Sequence, residues 1–95
     1  MVYEEWAPPP ALAPWVAVAW RISCEVPFDL RIVPDGCMDM IGGDVIGSLT
    51  RPLTVRLERG DRSEGIRFHP GGLPALTGVP ASELVDRRLP AGEVD

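Results

Sequence analysis

Eleven prolines and ten glycines are spread along a chain of 95 residues. Proline locks φ and gives up its N–H, and glycine weakens a helix interior. A chain punctuated this often favours short strands and turns over long helices. Its length fits one domain spanning residues 1–95. Such a domain buries a little over ~60% of the surface exposed by its unfolded chain, enough for one modest core.

The stretch Arg31-Ile32-Val33-Pro34-Asp35-Gly36-Cys37-Met38-Asp39-Met40-Ile41 reads as strand, tight turn, strand. Pro34 presets φ, Asp35 can bond its own backbone, and Gly36 supplies φ > 0. Leu30 and Ile32 alternate with Asp29 and Arg31; Met38 and Met40 alternate with Cys37 and Asp39. Period two on both sides predicts a hairpin of Asp29–Val33 with Cys37–Ile41. Further short strands are expected at Met1–Trp6, Trp15–Ile22, Asp44–Ile46, Leu53–Leu57 and Glu64–Phe68. In the second of these, Val16, Val18, Trp20 and Ile22 are expected on one face. After His69 the pattern changes. Leu73–Leu76 predicts a helical turn closed by Gly78, and Pro80 to about Arg87 predicts a second helix ended by Pro90. Residues 91–95 could begin another element. The expected class is α+β: strands over about 2–68, curled into a small antiparallel sheet or partial, cupin-like β-barrel, then short helices over about 71–88.

Charge narrows the function. Nine arginines, no lysine and 14 acids leave a net charge of −5. An acidic domain without a basic cluster repels phosphate backbones, which argues against direct DNA binding. No apolar run reaches the ~18 residues that span a bilayer, and no signal peptide opens the chain. A cytoplasmic protein without a membrane partner is expected, with Cys24 and Cys37 as reduced thiols.

Asp35, Cys37 and Asp39 recur at every second position and, with His69, could hold a metal. The simpler reading is a turn aspartate, a half-buried thiol and a solvated strand residue, and no metal or other cofactor is expected. His69 is the sole histidine, and no G-x-S-x-G elbow supplies it with a nucleophile. No catalytic residue is assigned. Trp6, Trp15 and Trp20 either line a cavity or fill the core. Met38 and Met40 suit an adaptable pocket wall or a packed interior. Arg31 and Arg67 either clamp an anion or stay solvated.

Three blocks together resemble a known family: Glu5-Trp6-Ala7-Pro8-Pro9-Pro10-Ala11-Leu12-Ala13-Pro14-Trp15-Val16, the Pro34-Asp35-Gly36-Cys37-Met38-Asp39 segment, and Gly65-Ile66-Arg67-Phe68-His69-Pro70-Gly71-Gly72 with Gly78-Val79-Pro80-Ala81-Ser82-Glu83-Leu84. Their order and spacing are similar to the N-terminal domain of actinobacterial AraC-type transcriptional regulators. The resemblance implies a sensor or dimerisation module, normally followed by paired helix-turn-helix motifs that this chain lacks. Contact with DNA would then run only through that missing domain. The resemblance transfers neither a ligand nor a catalytic residue.

The resulting expectation is a regulatory, non-enzymatic domain that takes a small-molecule effector, forms a homodimer, or does both. The expected pocket wall is Trp20, Ile32, Met38, Met40, Val55 and Phe68, with Arg67 nearby. A stand-alone small barrel that binds or cyclises an apolar metabolite is the alternative from another class.

Overall fold

Alternation of apolar and polar residues does build short strands. The computed structural model describes residues 1–93. Its strands are β1 (Val2–Trp6), β2 (Val16–Ser23), β3 (Phe28–Ile32), β4 (Asp39–Ile41), β5 (Asp44–Ile46), β6 (Leu53–Leu57), β7 (Arg62–Phe68) and β8 (Arg88–Pro90). Six form an antiparallel sheet in the order β1-β2-β7-β4-β5-β8, while β3 and β6 pair by themselves.

The expected α+β class does not stand. Among the described residues, helix is confined to α1 (Gly72–Thr77) and two 3-10 turns, Ala81–Glu83 and Ala91–Glu93. The predicted helix from Pro80 to Arg87 ends after its first turn. Asp86 takes a left-handed φ of 55°, and the chain re-enters the sheet as β8. Leu84 is the one buried side chain of that segment, too little apolar surface to hold a longer helix down. The expected barrel does not close either: β1 and β8 remain edges of the large sheet. Of the last expected element, Ala91–Glu93 is a 3-10 turn and residues 94–95 lie outside the described residues.

The predicted hairpin is also replaced. β3 pairs with β6, from Phe28 opposite Leu57 to Ile32 opposite Leu53. β4 pairs with β5 and β7. The turn chemistry is present, since Cys37 N–H donates to Asp35 Oδ1 at 2.9 Å and Gly36 has a φ of 77°. Yet the turn carries the chain from one sheet to the other instead of folding it back. Two long-range pairings outcompete one local one.

The bulge in β2 divides its apolar residues between two faces, and Trp20 and Ile22 are buried on the second. Val16 lies opposite Phe68 but Val18 lies opposite Arg67, so one residue is accommodated between them. Val16 therefore joins the core, whereas Val18, Trp20 and Ile22 point to the other face. The core comprises Val16, Met38, Val45, Phe68, Leu73 and Leu84, flanked by Trp15, Met40, Ile66, Val79, Leu89 and Ala91. Residues 69–91 cover the β7–β4–β5 half of this face. Two glycines permit the close approach: a Cβ on Gly47 would lie 1.5 Å from the Leu84 carbonyl oxygen, and one on Gly72 would lie 2.3 Å from that of Trp15.

Past the bend at Glu25–Val26 and the turn at Arg59–Gly60, β3 and β6 form a separate two-stranded ribbon. The junction is held by Cys24 N–H to Asp61 O (3.0 Å) and Gly60 N–H to Cys24 O (2.8 Å). At its other end, Thr50 N–H donates to Asp86 Oδ1 at 2.9 Å.

Candidate functional site

Three adjacent rows of the six-stranded sheet define the chemistry. Trp6, Ala19, Ile66, Met40, Val45 and Leu89 form one row on the core face. Glu5, Trp20, Gly65, Ile41, Asp44 and Pro90 form the next, and the alternation of strands puts them on the opposite face. Val18, Arg67, Asp39, Ile46 and Arg88 follow on that same opposite face.

A polar network occupies the opposite face. Gly65 lets the Trp20 indole lie against the sheet, because any Cβ there would stand 2.5 Å from the ring. Trp20 Nε1–H then donates to Asp39 Oδ2 at 2.9 Å. Arg67 lies between two carboxylates, 3.7 Å from Asp39 Oδ2 and 3.7 Å from Glu5 Oε2. Tyr3 donates to Glu5 Oε2 at 2.7 Å, and its ring is 6.4 Å from that of Trp20. Burial pushes the Asp39 carboxyl above its usual range, against the pull of the Trp20 bond and the Arg67 charge. Burial, then the Asp35 charge, likewise raises the Cys37 thiol. A raised thiol is a poor nucleophile at neutral pH.

On the core face, beyond the packed half, lies an open cleft of about 530 Å³. Trp6, Ala19, Arg21, Glu64 and Ile66 line it, with Trp20, Gly65 and Gly42 at its margins. Arg21 sits 5.3 Å from the Trp6 ring centroid and pairs with Glu4 at 3.0 Å. The cleft thus offers an aromatic wall, an aliphatic floor and charges of both signs.

The expected pocket residues fall in three places. Met38 and Phe68 are buried in the core and Met40 packs against it. Trp20 and Arg67 belong to the polar network, and Trp20 also borders the cleft. Ile32 and Val55 lie on the ribbon. Sequence reasoning weighed Trp6 as a cavity residue without placing it in the pocket wall, and missed Arg21, Glu64, Tyr3 and Glu5. The period-two spacing of Glu4 with Trp6 and of Ala19 with Arg21 carried the signal, but only the pairing of β1 with β2 unites them. His69 is exposed and engages Trp15 O through its backbone N–H at 2.9 Å. Among the described residues, no three His, Cys, Asp or Glu side chains converge to hold a metal. No helix among them is long and apolar enough to cross a membrane.

These features define a small antiparallel β-sheet domain with a packed core face, an open cleft and a separate two-stranded ribbon. The chain belongs to the DUF6597 family, described as a domain of unknown function, which matches residues 4–90. No curated protein matches the chain, and no solved structure does.

Proposed function

We propose that this domain is a non-enzymatic regulatory module, the effector-binding and self-associating part of an AraC-type transcriptional regulator acting in the cytoplasm. The single observation that carries the effector reading is the cleft between β1, β2 and β7. A flat, largely apolar molecule with one polar end suits its Trp6 wall and its Arg21 and Glu64 rim. The mechanism is population shift. Every residue of β1 is exposed, and β1 is held by β2 alone. A ligand touching Trp6 and Ile66 together would fasten this strand to the sheet and favour one arrangement of attached segments. The acidic charge fits a module that leaves DNA contact to another domain.

Thermal unfolding of the chain against a library of aromatic metabolites tests this. The expected result is a compound that raises Tm, with the shift abolished by Trp6→Ala and Arg21→Ala. A library that never moves Tm, or a shift indifferent to both substitutions, contradicts it.

A further inference from the structure

We infer that the cleft between β1, β2 and β7 takes an organic cation, an aromatic amine whose ring lies along Trp6 and Ile66 and whose positive end meets Glu64. The inference rests on the effector reading above and adds the sign of the ligand's charge. Glu4, Arg21 and Glu64 are directly opposite one another on β1, β2 and β7. They form the next row to Trp6, Ala19 and Ile66 on the same face. Arg21 thus stands between two carboxylates but serves one. Its Nη2 lies 3.0 Å from Glu4 Oε1, and its guanidinium carbon sits 5.3 Å from the Trp6 ring centroid. Glu64 is exposed and makes no ion pair among the described residues. The row therefore holds two acids against one arginine, and the charge left over at the cleft is negative.

That imbalance selects the ligand. An anion would have to draw Arg21 away from Glu4, leaving two unpaired carboxylates beside it. Arg62, two residues before Glu64 on the same face of β7, lies outside the cleft lining and supplies no second positive charge there. A cation meets Glu64 with every existing pair intact. The aromatic wall favours the same sign. Trp6 is 46% exposed, and the face of an indole attracts positive charge, as its contact with Arg21 already displays. Trp6, Ala19 and Ile66 offer the apolar contact that holds a ring. The net charge of −5 adds a field that draws cations toward the chain. Because the cleft is open, the pair with Glu64 contributes modestly and is screened by salt.

Isothermal titration calorimetry at neutral pH reads the sign with three indoles of matched shape. Tryptamine is the cation, 3-ethylindole is uncharged and indole-3-propionate is the anion. Tryptamine is expected to bind about fivefold tighter than indole-3-propionate, with 3-ethylindole between them. Glu64→Gln is expected to weaken tryptamine binding by about threefold and to leave 3-ethylindole unchanged. Added salt should narrow the wild-type preference in the same way. The substituted side chain is exposed, so the fold tolerates the change. Indole-3-propionate binding as tightly as tryptamine overturns the inference. So does a preference for tryptamine that Glu64→Gln leaves intact. In either case, binding that Trp6→Ala abolishes keeps the effector reading. Binding of none of the three also overturns the inference, while the wider library of aromatic metabolites decides the effector reading separately.

Discussion

The β7–β4–β5 half of the large sheet and the β3–β6 ribbon are built from the same alternating pattern, yet they end in opposite states. In the first, Met38, Val45 and Phe68 meet Leu73 and Leu84 from the C-terminal segment and are almost wholly buried. In the second, Phe28, Ile32 and Leu53 remain more than a third exposed. The difference lies in what returns to cover each face. Residues 69–91 fold back over one, while on the other even Leu30, Val55 and Leu57 are only partly buried. Alternation makes a face apolar; topology alone decides whether it is filled.

The largest effects are expected in the packed half. Leu84→Ala removes a side chain that is 2% exposed and should cost about 2–5 kcal/mol. Chemical denaturation of the full chain measures it. Gly47→Ala should be at least as damaging, because the new Cβ meets the backbone carbonyl of residue 84 rather than a yielding side chain. A small loss for either would mean that the cover over this face is loose.

An intermediate effect is expected at the polar network. Trp20→Phe removes the donor to Asp39 and should cost about 1–3 kcal/mol. Asp39→Asn should act mainly on pH dependence. Burial raises the folded carboxyl above the usual carboxylate range, so the folded chain keeps that proton longer than the unfolded chain as pH rises. This group therefore favours folding at low pH, and its contribution fades as pH climbs through the folded pKa. Relative to Asp39→Asn, the wild type should lose stability as pH rises through the ordinary carboxylate range and level off above the raised folded pKa. A constant difference between the two across the acid range would remove the burial argument.

The smallest effect belongs to the ribbon. Val55→Ala should cost under about 1 kcal/mol, since its side chain is only half-buried. A cost matching that of Leu84→Ala would erase the contrast between the two regions.

Much of this was legible in the sequence, and the limits have physical causes. The strands at 2–6, 53–57 and 62–68 follow from alternation, and Gly78 closes α1 with a φ of 78° as its position suggests. Strand partners were not legible, because period two marks a face and not a neighbour. The Pro34-Asp35-Gly36 turn forms its local bond, but Phe68 N–H reaches Met38 O at 2.9 Å and draws the following strand to β7. The bulge near Ala17 reverses the side on which Val18, Trp20 and Ile22 lie, and no single residue type announces it. The polar network was hidden for the same reason. Tyr3, Trp20, Asp39 and Arg67 are far apart in the chain and meet only through three pairings.

Amide hydrogen exchange tests most directly whether the two halves differ as described. Amides of residues 64–68 should be protected. Those of 28–32 and 53–57 should exchange more rapidly, because the ribbon has only two strands and its apolar side chains are only partly buried. Ribbon amides as protected as those of Ile66 and Phe68 would contradict it, showing the ribbon to be held as firmly as the packed half.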